Sequence, residues 1–293
     1  MPRQPRIHVP GGFYHVILRG NNRAEIFRGD QDRDDLGKRC AEGLDRFGGR
    51  IHAWCWMTNH IHILLQTADR PVGDMIRWLA SGYARSFNKA YDRSGHLFER
   101  RHKAILVQSD TYLLSLVRYI HLNPIRAGVI EVPEGYRWSS HRAYLGLQNV
   151  PWLTTEFVLR QFSQSVFRAR KAFQGFTTDS YVDDHDFENG SAADDRILGD
   201  EEYCSALQGP PASIRSSKTL DEIISEYCAG TNWTPAELKG PSRQRHFAAV
   251  RARITDQAMK GGIATLAEIS WAFNRSEAVV LRTLNHWKAK DAQ

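Results

Sequence analysis

Two histidines, His60 and His62, lie in the run Asn59-His60-Ile61-His62-Ile63-Leu64-Leu65. The run predicts a β-strand, on which side chains two apart share a face. The two imidazoles then point one way, while Ile61, Ile63 and Leu65 point the other way into a core. A pair held on a rigid strand can bind one metal ion. Downstream, Tyr119-Ile120-His121-Leu122-Asn123-Pro124 closes a helical stretch. Tyr119 and Asn123 are four apart and share a helix face. A histidine pair, a tyrosine and a polar residue one turn away are the parts needed to cut DNA through a phosphotyrosine.

That chemistry gives each residue a job. A phenol is a usable nucleophile and a good leaving group in the reverse step. A divalent metal polarises the scissile phosphate and screens its charge. Oxygen-rich sites favour Mg²⁺, and two imidazoles also admit Mn²⁺. His60 and His62 supply two ligands, and the Asn123 carbonyl oxygen a third. Attack by Tyr119 leaves a 5′-phosphotyrosine and a free 3′-hydroxyl. The bond energy stays in the phosphotyrosine, so a hydroxyl can rejoin the strand without ATP. Tyr83, Tyr91 and Tyr112 are rival nucleophiles. His121 should face away from Tyr119, and His15 and His52 read as structural or DNA-facing.

The elements that must position these residues follow from hydrophobic period and turn signals. Phe13 to Leu18 reads as a first strand, followed by the basic turn Arg19-Gly20-Asn21-Asn22-Arg23. Residues 31–47 have helical spacing and end at Gly48-Gly49. Ile51 to Trp56 is a second strand and the histidine run a third. A helix follows Arg70-Pro71 to about Tyr91. Residues 103–108 form a fourth strand, and Asp110 caps the helix that carries Tyr119. The order β-α-β-β-α-β-α begins as the ferredoxin-like order, one mostly antiparallel sheet with helices on one face.

Composition sets the outer bounds. A chain of 293 residues suits two domains. The net charge of +6 hides an asymmetry: residues 179–202 hold ten acidic residues and one basic residue, which leaves +15 on the rest. A basic body suits a polyanionic partner such as nucleic acid. The cluster Gly95-His96-Leu97-Phe98-Glu99-Arg100-Arg101-His102-Lys103 offers phosphate contacts beside stackable rings, a pattern suited to single-stranded or hairpin DNA. With Arg19 and Arg23 it makes a DNA-facing set of Arg19, Arg23, Arg100, Arg101 and Lys103.

Residues 148–176 read as a helical extension and 177–212 as an acidic linker. A second, all-α domain over 213–290 carries a basic helix and two short helices joined at Phe273-Asn274-Arg275-Ser276, the pattern of a helix-turn-helix. Arg243, Arg245, Arg251, Arg253, Arg275 and Arg282 are its candidate contacts to duplex DNA. Cys40, Cys55, Cys204 and Cys228 have no zinc-knuckle spacing and are too few for a disulfide scaffold, which suits a cytoplasmic protein. No apolar stretch is long enough for a membrane span, so no membrane partner is expected. A monomer and a homodimer are both open.

The motifs together resemble the single-tyrosine HUH transposases, of the transposase IS200-like group, and within them the REP-associated tyrosine transposases. The resemblance rests on Trp56-Met57-Thr58-Asn59-His60-Ile61-His62 and on Tyr119 to Pro124. Gly95 to Arg101, Asn123-Pro124-Ile125-Arg126-Ala127-Gly128 and Trp138-Ser139-Ser140 add to it. It covers residues 6–147. It implies an α+β fold, a ferredoxin-like HUH nuclease domain, acting on single-stranded DNA, often a hairpin with a short guide sequence beside it. It implies His60 and His62 as metal ligands and Tyr119 as nucleophile. The C-terminal part resembles a DnaA-like or Trp-repressor-like helix-turn-helix. The expected activity is a metal-dependent single-strand endonuclease and strand transferase, a transposase acting at palindromic repeats. The alternatives are a DNA-binding regulator with a vestigial nuclease site and an HUH relaxase or replication initiator.

Overall fold

Alternating apolar residues bounded by glycine turns produce four strands and two intervening helices close to the expected positions. The computed structural model describes residues 7–99, 102–179, 185–192, 194–208, 218–229, 231, 233–240, 245–261 and 263–291. The first elements are β1 (Phe13–Arg19), α1 (Asp30–Phe47), β2 (Arg50–Trp56), β3 (His60–Gln66), α2 (Val72–Ala90), β4 (Lys103–Val107) and α3 (Ser109–Arg126). Asp110, expected as the cap of α3, lies inside its first turn, where its charge still favours the helix N-terminus. Pro124 does not end α3. It sits in the last turn, and the helix continues to Arg126.

The sheet order is β2-β3-β1-β4-β5, with β5 (Ile197–Leu198) pairing parallel to β4. The other pairings are antiparallel. β3 is hydrogen-bonded along both edges. Its register against β1 sets Arg19 opposite His60, Ile17 opposite His62 and His15 opposite Leu64.

Helices on one face only were expected, with the histidines turned away from a core. Both faces are buried. Phe13, Leu64, Ile105 and Val107 pack with Leu113, Leu116, Val117 and Ile120 of α3. Tyr14, Val16, Ile61, Ile63 and Leu65 on the opposite face are buried as well. His62 shares its face with Leu64, so it lies under the α3 layer and is fully buried.

Beyond α3 come α4 (His141–Leu145), α5 (Glu156–Leu159) and α6 (Val166–Thr178). Ala169 and Phe173 of α6 enter the same core, so the expected helical extension is part of this first unit. The expected acidic linker differs more. Residues 185–198 supply buried Phe187 and strand β5 to the first unit, whose main body runs over Phe13–Leu198. A mean composition that is polar and acidic concealed two apolar anchor points.

The second unit comprises His8–Gly12 and Gly199–Gln293. It contains α7 (Glu201–Gln208), α8 (Leu220–Ala229), α9 (Pro235–Lys239), α10 (Arg245–Lys260), α11 (Leu266–Ala272) and α12 (Glu277–Asp291). Thr265 and Glu268 form a capping box at the start of α11. Asn274 takes φ 51° in the turn to α12, a conformation asparagine tolerates better than most residues. Ser276 Oγ accepts from Val279 N at 3.4 Å at the start of α12. All four cysteines are free and buried. Among the described residues no helix is long and apolar enough to cross a membrane.

His52, His121 and His141 are buried away from the His60–His62 pair. Burial, the leading cause at each, holds their imidazoles below the ordinary 6.5, and Glu134 opposes it at His141. The unfolded chain therefore takes up these protons at higher pH than the folded one. The stability tied to the neutral rings is complete above the ordinary histidine value and is lost as pH falls below it. The urea midpoint should decline from about pH 7 to about pH 5, less steeply in His121→Phe. A midpoint level or rising over that interval contradicts the assignment.

Candidate active site

Antiparallel pairing of β1 with β3 brings three histidines together. His15 lies diagonally across from His62, and their ring centroids are 5.1 Å apart with an 18° interplanar angle. His62 Nδ1 lies 2.9 Å from His15 Nε2, and His15 Nδ1 lies 2.8 Å from the Phe187 carbonyl oxygen. His60 is half-buried, its ring 4.9 Å from that of His62, with Nδ1 2.7 Å from Asn59 Oδ1.

The turn after β1 holds this strand end in place. Gly20 N donates to Asn59 O at 2.8 Å, and a Cβ on Gly20 would fall 2.0 Å from Ala24 O. Only glycine fits that approach.

Tyr119 of α3 meets the histidines from the helix layer. Its ring is 5.7 Å from His62 and 6.0 Å from His15, near-perpendicular to both. Asn123, one turn on, donates its amide to the Tyr119 carbonyl at 2.8 Å, which leaves Oδ1 as the acceptor end. Arg126, a further turn along, lies over the Tyr119 ring at 5.0 Å.

A second set of contacts comes from the acidic segment. Asp186 accepts from Glu188 N at 3.0 Å and from Asn189 Nδ2 at 2.7 Å, an Asx-type turn. The turn presents Glu188 to the site. Tyr119 donates its phenol proton to Glu188 Oε1 at 3.2 Å, and Arg19 donates to Glu188 Oε2 at 3.1 Å. Lys103 Nζ donates to Glu188 O and to Asn189 Oδ1, at 3.0 and 2.6 Å. Phe187 packs its ring 5.0 Å from Tyr119.

Electrostatics follow from this burial. Burial brings the His15 pKa down to about 4, against a raising contribution from the Phe187 carbonyl and Glu188. His60 and His62 are lowered too, burial first and neighbouring positive groups next. All three are neutral near pH 7 and can act as lone-pair donors. Burial and then Glu188 raise the Tyr119 phenol above its ordinary value, with Arg126 and Asn123 opposing.

His62 Nε2 is buried and has no hydrogen-bond partner. An orphaned imidazole nitrogen beside a second neutral imidazole suits a divalent ion. Among the described residues no three His, Cys, Asp or Glu side chains gather around such an ion. A third ligand would therefore be an oxygen of another kind, and the Asn123 amide is the nearest in role.

The rival tyrosines are otherwise engaged. Tyr83 donates to Ile26 O at 2.5 Å, and Tyr91 to Asp32 at 2.8 Å. Tyr112 packs its ring against His185. His121 faces away from the pair, with Nε2 2.6 Å from Ser140 Oγ. His52 bridges Thr154 O and Gln66, a structural placement.

Of the basic residues, Arg19 and Lys103 border the site, and Arg23 is exposed on the adjoining turn. Arg100, Arg101 and Arg243 lie outside the described residues. Arg245 opens α10, and its side chain also lies outside them. Arg253 and Arg282 are exposed. Arg251, expected to grip DNA, is buried. It donates to Leu238 O and Gly240 O at 2.7 and 2.8 Å, closing the end of α9. Arg275 also donates to Gly240 O, at 3.1 Å.

Residues 9–123, which include His60, His62, Tyr119 and Asn123, match the family described as Transposase IS200 like. A Haemophilus influenzae protein named as a REP-associated tyrosine transposase is 32% identical over 155 residues, covering 48% of this chain and 87% of that protein. The chain belongs to the REP-associated tyrosine transposase family. The family is one of DNA-processing enzymes. Two solved structures are also similar. One is a REP-associated tyrosine transposase bound to a REP hairpin, with TM-score 0.43 and 17% identity over 53% of this chain and 92% of that one. The other is a Deinococcus radiodurans protein described as a transposase, with TM-score 0.30 and 22% identity over 40% and 95%.

Neither His15, Phe187 and Glu188 nor Arg126 was singled out from sequence as part of the site. Arg126 alone carried a signal, since it shares a helix face with Tyr119 seven residues before it. Glu188→Gln keeps an acceptor for Tyr119 and removes the charge. The Tyr119 titration point should fall yet stay above the ordinary tyrosine value, because burial is the larger cause. ¹³C NMR of Cζ-labelled tyrosine measures it, and an unchanged titration point would contradict the contact.

Proposed function

We propose that this member of the family cuts and rejoins single-stranded DNA at hairpin-forming repeats, with Tyr119 as nucleophile and a divalent metal held by His60, His62 and Asn123. The observation that supports it best is the Tyr119 ring 5.7 Å from that of His62, whose Nε2 is buried and unpartnered. Mg²⁺ or Mn²⁺ bound there would polarise the scissile phosphate and offset its charge. Hairpin DNA as substrate is suggested by the family and by the REP hairpin bound in the structurally similar relative. We read the β2-β3-β1-β4 order as a ferredoxin-like HUH nuclease core, and α10 to α12 as a helix-turn-helix that adds affinity for duplex DNA through Arg253 and Arg282.

In this reading the Tyr119 Oη–phosphorus bond forms as the bond from phosphorus to the 3′-oxygen breaks. Glu188, which accepts the phenol's hydrogen bond, is placed to take its proton. The leaving 3′-oxygen takes a proton from water. Arg19 and Lys103 hold the phosphates on either side. Rejoining runs the same steps backward, with the 3′-hydroxyl attacking the phosphotyrosine. A relaxase or initiator that hands strands between paired tyrosines fits less well, because Tyr83 and Tyr91 spend their hydroxyls elsewhere.

Labelled single-stranded DNA from the gene's flanking repeats tests the reading. With Mn²⁺, wild type should give a covalent adduct that survives denaturing electrophoresis, and Tyr119→Phe should give none. An adduct of equal yield in Tyr119→Phe overturns the assignment, and binding by wild type without any adduct overturns the nuclease.

A further inference from the structure

A chain of hydrogen bonds leads from the main chain into the proposed metal site, and each proton in it is fixed by the one before. The Phe187 carbonyl can only accept, so His15 Nδ1, 2.8 Å away, carries a hydrogen. His15 is fully buried, with a carbonyl and a second imidazole but no carboxylate at its ring nitrogens, so it carries one ring proton and Nε2 is a bare lone pair. Two lone pairs cannot face each other at 2.9 Å, so His62 Nδ1 is the donor to His15 Nε2. His62 is fully buried too, with no acceptor at its second nitrogen to share a further proton, so the unpartnered Nε2 is left as a lone pair.

We propose that His15 is a positioning residue that locks His62 in the Nδ1–H tautomer and so makes Nε2 its ligating atom. The proposal rests on the reading of His62 as a metal ligand. The two rings meet edge to edge and nearly coplanar, 18° apart, so the bond fixes the plane of His62 as well as its tautomer. A ligating imidazole whose far nitrogen is held this way binds more strongly and in one orientation. Without His15 both tautomers of His62 are open, and the Nε2–H form cannot ligate through that nitrogen.

Two variants separate this role from simple packing. His15→Gln can donate its amide to Phe187 O and accept from His62 Nδ1 with its carbonyl. His15→Phe fills the space and does neither. Long-range ¹H–¹⁵N NMR of histidine-labelled full-length protein without metal reads the His62 tautomer directly. Calorimetric titration with Mn²⁺ reads affinity.

Wild type should show His62 protonated on Nδ1 alone. His15→Phe should bind Mn²⁺ about 10- to 100-fold more weakly, and His15→Gln should recover most of that loss. A wild-type His62 protonated on Nε2, or equal Mn²⁺ affinity in wild type and His15→Phe, overturns the role given to His15. Wild type with Nδ1–H at His62 but no Mn²⁺ binding overturns instead the reading of His62 as a ligand, and with it this role. If His15→Phe does not fold, the wild-type tautomer and His15→Gln still decide.

Discussion

The site depends on the pairing of β3 along both edges, with β1 on one side and β2 on the other. A strand hydrogen-bonded on both sides cannot slip without losing a ladder. A slip of one residue would exchange its faces and send His60 and His62 to the side of Ile61 and Ile63. The β1–β3 register places Arg19 beside His60 and His15 diagonal to His62. α3 then packs over Leu64 and Phe13 through Leu113, Leu116, Val117 and Ile120. Tyr119, Asn123 and Arg126 follow from that docking, because they lie on one stripe of α3.

Burial sets the chemistry once the geometry is fixed. Removing three imidazoles from water makes their charged forms costly, and they remain neutral donors and acceptors. The same burial keeps the Tyr119 phenol protonated at rest, with its proton pointed at Glu188. Glu188 in turn is held by Arg19, while Lys103 holds the backbone of the same turn. A carboxylate between an arginine and a phenol occupies surroundings that would also suit a phosphate. Of the basic residues read from sequence as DNA contacts, Arg19 and Lys103 border this site.

Much of this was legible in the sequence. The period-2 run around His60 gave the strand and its two faces, and the four-residue interval gave the shared face of Tyr119 and Asn123. Four strands and the helices between them followed from hydrophobic period and glycine turns. The rest depended on long-range contacts. His15 joins the site only through the β1–β3 register, which local pattern does not specify. Phe187 and Glu188 lie in a stretch whose acidic composition reads as solvated chain, although one buried ring and two strand residues anchor it. Arg251 looked like a groove contact because helix periodicity does not distinguish a buried arginine bonded to carbonyls from an exposed one. Asn123-Pro124 looked like a helix end because the residue before a proline is biased away from helix, yet α3 continues to Arg126.

Tyr119 as the nucleophile is tested most directly by peptide mapping of the protein after reaction with hairpin-bearing single-stranded DNA and Mn²⁺. After nuclease and trypsin digestion, a phosphodeoxynucleotide mass is expected on the peptide running from Tyr119 to Arg126, with fragmentation placing it on Tyr119. A nucleotide on the peptides carrying Tyr83, Tyr91 or Tyr112, or on none, would contradict it.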